Sequence, residues 1–292
     1  MQTKEILASN SRVLTATQRE EYFDCGYLKL NGFLDNSWLS RLRLASLAFV
    51  EKSRKIRQNN EMFVLENGHC SAHPKLRRVV SPVSHDKTFW EFASESLIPD
   101  LVADVVGPNV RFYHSKLNYK WANGGQKFEW HQDIQAWPHT NYSPVTVGVL
   151  LEDVGMAQGP LTVVKGSHIG PLYDLYDKRG NFVIRIDKDK LEWVTESLKD
   201  YMTGPAGTVF LLNCRTIHGS DLNQSSVSRP LLLNVYSAAD AFPYAANPIP
   251  SIYDGTIVRG EPARWAHHDP RPCQVPPDWS AGYVGPWAHQ SK

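Results

Sequence analysis

From Val110 onward the apolar residues come in short runs rich in β-branched and aromatic side chains: Val110 to Tyr119, Val145 to Leu151, Leu161 to Val164, Thr208 to Leu212 and Pro230 to Tyr236. Gly, Pro, Asn and Asp separate them. Runs of this length bounded by turn formers read as strands, and several in succession predict an antiparallel β-sandwich or barrel. This feature sets the fold class, because nothing in the same stretch has the 3.6-residue period of a long helix.

The first third has a different character. Thr17 to Tyr22 reads as a short helix and Gly26 to Leu34 as a turn followed by a strand. Asp35 caps a helix running to about Arg57, with Trp38, Leu39, Leu42, Leu47 and Phe49 on its inner face, and Lys87 to Val106 reads as one further helix ending at Gly107-Pro108. Residues Asn59 to His85 are polar and irregular. They and Gly170 to Lys190 are the segments expected to form a lid. Asn247 to Trp287 is rich in proline and reads as an extended tail over the core, with Trp265, Trp279 and Trp287 as anchors. The expected organisation is one domain over residues 1–292: a helix-rich buttress at 1–108, a β core at 109–240, and the tail at 241–292.

Composition narrows the function classes. With 292 residues and 42% hydrophobic content, one large core is feasible, burying roughly 75% of the unfolded surface. Thirty-one Lys and Arg against thirty Asp and Glu give a net charge of +1, and no basic cluster is interleaved with aromatics, so no nucleic-acid partner is expected. No signal-like start and no apolar run of about 18 residues is seen, which predicts a cytoplasmic chain without membrane contact. Cys25, Cys70, Cys214 and Cys273 are widely spaced and read as reduced thiols.

His131-Gln132-Asp133 sets an imidazole and a carboxylate two residues apart, hence on one face of an extended segment, where both can hold one metal ion. His218, which follows an apolar strand and opens the turn His218-Gly219-Ser220, is the best third ligand among eleven histidines. Two His and one carboxylate suit Fe(II) with open positions, and also zinc or manganese. Arg229 precedes the uncharged strand Pro230 to Tyr236. Aimed inward, its guanidinium needs an anion, such as a dicarboxylate co-substrate beside the metal.

The order of His131-x-Asp133, Gly159-Pro160-Leu161-Thr162-Val163-Val164-Lys165-Gly166-Ser167-His168, His218-Gly219-Ser220 and Arg229 resembles the phytanoyl-CoA dioxygenase superfamily of Fe(II)/2-oxoglutarate oxygenases, over about Gly26 to Tyr236. Within it, His114 to Lys120 and Phe128-x-Trp130-His131-x-Asp133-x-x-x-Trp137 are similar to the ectoine hydroxylase branch. The resemblance implies a double-stranded β-helix core of the jelly-roll kind, buttressed by the N-terminal helices. It implies that His131, Asp133 and His218 hold iron, that Arg229 and Ser220 grip the distal carboxylate of 2-oxoglutarate, and that Asn118 and Phe128 line the co-substrate site. His114, Lys116 and Trp137 would face the substrate. The branch has Gln and Arg where this chain has His114 and Lys116, which argues against ectoine itself.

The implied activity is oxidation of an unactivated C–H bond of a small polar metabolite with dioxygen, yielding succinate and CO2. Asp133 is intact, which favours hydroxylation over the halogenation that family members lacking this carboxylate perform. Tyr173 and Arg215 are further substrate contacts expected from their cationic and aromatic character, in a protein acting as a monomer or homodimer. His168 is expected to be structural, and His267-x-Asp269, despite its matching spacing, to lie on the tail surface. A zinc hydrolase or a non-catalytic jelly-roll binding protein using the same His/Asp/His cluster are the alternatives.

Overall fold

A computed structural model describes residues 1–280, 282 and 285–291. The N-terminal part holds α1 (Thr3–Ala8), α2 (Ala16–Cys25), β1 (Tyr27–Leu30), α3 (Asn36–Ser53), β2 (Phe63–Leu65), β3 (Leu76–Val80), α4 (Lys87–Glu95) and α5 (Ile98–Val106). There follow β4 (Val110–Lys120), β5 (Phe128–His131), β6 (Val145–Leu150), β7 (Leu161–Val164), β8 (Lys199–Tyr201), β9 (Val209–Asn213), β10 (His218–Ser220) and β11 (Arg229–Ala238). β12 (Ile257–Arg259) and α6 (Pro286–Gln290) belong to the tail.

Two antiparallel sheets form the core. The larger has the order β1-β9-β6-β11-β4-β3-β2, with β12 also on β4, and the smaller has the order β5-β10-β7-β8. The long central pair is β4 and β11, in register from Arg229 opposite Lys120 to Ala238 opposite Val110. All ten residues of β11 are buried, the condition of a strand covered on both faces. On the outer face Leu117, Leu232 and Tyr236 meet the helices; on the inner face alternate residues of β4 look toward the smaller sheet. Gly148 on β6 also faces inward, and a Cβ there would lie 2.0 Å from the ring of Phe210 on β9, so the glycine makes room for an aromatic on the neighbouring strand.

Local signals explain the helices. Thr15 caps α2 through the Gln18 N–H, while the Gln18 side chain accepts from the Thr15 N–H. Gly26 closes α2 at φ 81°, and a Cβ there would fall 2.4 Å from His168. Asp35 caps α3, which buries Leu39, Leu42, Ala45 and Phe49, with Phe49 stacked on Phe89 at 5.5 Å.

Four expectations are corrected. Leu47 is 62% exposed, since the buried stripe of α3 runs through residues 42, 45, 46, 49 and 50, and position 47 falls on its far side. Lys87 to Val106 is two helices, because Pro99 fits only a first turn; α5 restarts there, with the Ser96 hydroxyl accepting the Ile98 N–H at 3.2 Å. Asn59 to His85 supplies β2 and β3 to the edge of the larger sheet, so those parts of it are framework and not a free lid. Trp265 is 86% exposed and anchors nothing, whereas Trp279 is buried, its indole N–H donating to Ala136 at 2.9 Å.

Candidate active site

His131 ends β5, His218 starts β10, and the two are direct partners in the antiparallel pair, with ring centroids 4.1 Å apart. Asp133 opens the 3-10 turn Asp133–Gln135 just beyond β5. One ligand atom from each of the three lies within 4.8 Å of the others, and all three residues are buried. Among the described residues no other group of three His, Cys, Asp or Glu side chains converges this way.

The orientation of each ring is set locally. His131 Nδ1 lies 2.9 Å from the Glu129 carbonyl, and His218 Nδ1 2.9 Å from the Thr216 carbonyl. A carbonyl only accepts, so each Nδ1 carries the proton and each Nε2 turns its lone pair inward. Those Nε2 atoms stand 3.7 and 3.8 Å from Asp133 Oδ1, while Asp133 Oδ2 accepts from the Thr146 hydroxyl at 3.1 Å. Burial, and then the neighbouring His131, push His218 down to about 4, so its ring is neutral at physiological pH. Burial works to raise Asp133, but the charge of Lys116, followed by His218 and His131, holds it below the usual carboxylate range. Two imidazoles with Nε2 turned inward and an ionised carboxylate, buried and convergent, fit a divalent metal with open positions.

The three ligands open onto a cavity between the sheets, of which water centres can occupy about 100 Å³. Its far end is cationic. Arg229, 3% exposed, leaves Nε and Nη1 without a hydrogen-bond partner, and burial lowers it to about 10. Lys120, opposite it in register, is pushed down to about 6, by burial first and by Arg229 second, and its Nζ donates to the Asp221 carbonyl. A buried guanidinium with unused donors requires an anion in the bound state, and the Lys120 amine beside it can take up a proton to share that anion. Ser220, Asn118 and Phe128 line the same space, and Asn118 Oδ1 accepts from Arg78 Nε at 2.8 Å. This donor set fits a dicarboxylate.

His114 and Lys116 continue the same face of β4 away from Lys120, and Trp137 joins them in the lining, with the His114 and Trp137 rings perpendicular at 5.8 Å. Among the described residues Lys116 has no hydrogen-bond partner, and burial lowers its pKa although Asp133 works to raise it. Burial, then the Lys116 charge, hold His114 well below its usual value. The cavity therefore unites His114, Lys116, Asn118, Phe128, His131, Asp133, Trp137, His218, Ser220 and Arg229.

Tyr173 and Arg215 are not among its lining residues. They border a separate surface groove, where Arg215 lies over the Tyr142 ring at 4.5 Å and the Tyr173 hydroxyl accepts from Trp193. Nearness of Arg215 to His218 in sequence misleads because the chain turns between them. His168 Nε2 is bound at the Phe23 carbonyl, away from the metal ligands, and Asp269 is paired with Arg271 on the tail surface at 2.7 Å. Sequence reading missed Arg78, Lys120, Thr146 and Trp287, all of which line the cavity. Thr146 and Lys120 carried a signal, since they fall on the inward-facing alternate positions of β6 and β4.

The family model for phytanoyl-CoA dioxygenase matches residues 22–231. A probable alpha-ketoglutarate-dependent hypophosphite dioxygenase of Stutzerimonas stutzeri is 30% identical over 264 residues, covering 89% of this chain and 92% of that protein. An ectoine dioxygenase of Sphingopyxis alaskensis is 29% identical over 178 residues, 56% of this chain and 58% of its own. The crystal structure of EctD from S. alaskensis with bound Fe superposes with a TM-score of 0.66 at 22% identity, covering 90% of each chain, and so shares the jelly-roll fold. Together with the His/Asp/His cluster, these matches show that the chain belongs to the phytanoyl-CoA dioxygenase family and is an Fe(II)- and 2-oxoglutarate-dependent dioxygenase.

Proposed function

We propose that this dioxygenase oxidises a small anionic substrate, with His131, Asp133 and His218 holding Fe(II), and Arg229 and Ser220 gripping 2-oxoglutarate. The observation that carries the substrate class is Lys116: a half-buried ammonium on the cavity wall, with no hydrogen-bond acceptor among the described residues. Of the other cations there, Arg77 is paired with Glu66 at 2.7 Å, Arg78 is engaged with Asn118, and Arg229 and Lys120 stand together at the co-substrate end. Lys116 is the charge left to receive a substrate oxyanion or carboxylate. The hypophosphite dioxygenase among the relatives makes hypophosphite the first compound to try.

Fe(II), when bound, supplies the activation of dioxygen. Overall, one oxygen atom enters 2-oxoglutarate, giving succinate and CO2, and the other enters an X–H bond of the substrate, so each partner loses two of the four electrons that dioxygen takes up. The protein positions and excludes. Thr146 holds the Asp133 carboxylate in one rotamer, and the Glu129 and Thr216 carbonyls keep both Nε2 atoms inward. Arg229, Ser220 and Asn118 fix the co-substrate, Phe128 walls it from water, and Lys116, His114 and Trp137 set the substrate beside the metal.

The test is substrate-stimulated succinate formation by the iron-loaded protein with hypophosphite, other small oxyanions and carboxylates, and zwitterionic ectoine. An anion should stimulate turnover, and Lys116→Ala should raise its KM at least tenfold with the KM for 2-oxoglutarate little changed. Stimulation by ectoine alone, or an unchanged anion KM in the variant, would sink the anion reading.

A further inference from the structure

The tail carries more than anchors. α6 is fastened at the cavity mouth: the Gln290 side chain donates to the Ile184 carbonyl at 2.7 Å and accepts the Glu129 N–H at 3.1 Å, and Arg185 donates to the Gln290 carbonyl at 2.8 Å. Glu129 lies on β5, two residues before His131, so the helix is tied to the strand that ends in a candidate ligand. This brings Trp287 and Pro286 into the lining of the cavity.

Trp287 sits against residues of the co-substrate end. Its ring meets Phe128 edge to face at 5.5 Å, and the Arg78 guanidinium lies over it at 4.6 Å. Phe128 is opposite Ser220 in the smaller sheet, and Arg78 is bound to Asn118. Among the described residues the indole Nε1, itself buried, has no hydrogen-bond partner. An indole nitrogen can only donate, and a buried donor left unpaired is costly, so the position calls for an acceptor that arrives with a ligand. Phe128, Arg78 and Arg77, which lies over the ring at 5.4 Å, offer none, and the Glu66 carboxylate on the same wall is held by Arg77 at 2.7 Å; a ligand carboxylate would supply one.

We propose that Trp287 is a co-substrate-binding residue, donating its indole N–H to a carboxylate oxygen of 2-oxoglutarate, and that the tail is a strap completing that end of the site. This rests on the placement of 2-oxoglutarate at Arg229, but the two fail differently.

The experiment is an anaerobic titration of the Fe(II)-loaded protein with 2-oxoglutarate, read by the visible metal-to-ligand charge-transfer band, in the wild type and in Trp287→Phe, Gln290→Ala and Trp265→Phe. Trp287→Phe keeps a ring against Phe128 and Arg78 and removes only the N–H. The expected result is a band of wild-type shape with Kd raised about tenfold in Trp287→Phe, a smaller rise in Gln290→Ala, and no change in Trp265→Phe, whose ring is exposed. A Kd within twofold of wild type in Trp287→Phe overturns the N–H contact. A raised KM for the oxidised substrate with an unchanged 2-oxoglutarate Kd overturns it too, by assigning the donor to the substrate. Absence of a band in the wild type would instead remove the co-substrate placement on which the proposal stands.

Discussion

His131-Gln132-Asp133 and His267-His268-Asp269 share one spacing, yet only the first meets a third ligand. The first ends a strand of the smaller sheet, where register puts His218 directly opposite and backbone carbonyls pin both imidazoles. The second lies in tail without regular structure; His267 is exposed, and the Asp269 carboxylate is taken in a two-point ion pair by Arg271 at 2.7 and 2.8 Å. What separates them is the surroundings: one carboxylate is buried among rings that present lone pairs, the other is already neutralised by a guanidinium. A metal motif is thus a statement about the strand opposite it as much as about its own residues.

The comparison can be broken most directly at its two carboxylates. Asp133→Ala should lower 2-oxoglutarate turnover at least a thousandfold and reduce bound iron, while Asp269→Ala should leave both within twofold; succinate formation and iron content check this. Loss of activity in the Asp269 variant would erase the distinction. Beyond the first motif stands a cationic end that the second lacks, so Arg229→Ala should raise the 2-oxoglutarate Kd about a hundredfold by removing a buried charge partner, measured by anaerobic titration.

Lys120 adds a pH signature. In the free protein burial pushes it down to about 6, so its amine is neutral at pH 7 to 8. A bound dicarboxylate favours the ammonium, hence binding takes up a proton, and 2-oxoglutarate affinity should fall as pH rises from 6 to 8, by at most tenfold per unit. Lys120→Met should flatten that slope; an unchanged slope would assign it elsewhere. The smallest effect belongs to Thr146→Val, which removes one hydrogen bond to Asp133 and should weaken iron binding two- to tenfold.

The metal centre was legible because its ligands are encoded by a two-residue spacing and by a histidine at a strand rim, and both cues are local. Arg229 was legible for a similar reason, as a charge at the start of a strand buried on both faces. Cavity membership of Arg78 was not, since Leu76 to Val80 is a short strand carrying two adjacent arginines whose place beside β4 depends on long-range pairing. Tyr173 and Arg215 were placed wrongly on chemical character, which does not say which way a loop turns. Trp287 was read as an anchor, and only the fold shows that its ring lines the cavity against Phe128.

The split between the sheets has an evolutionary consequence. The candidate iron ligands ride on or just beyond β5 and β10, while His114 and Lys116 occupy alternate positions of β4 in the other sheet. Substitutions at those two positions change what the pocket greets without disturbing the hydrogen bonds that hold the metal. Selection, or a designer, can therefore explore new substrates along one strand while the oxidising machinery on the facing sheet is inherited intact.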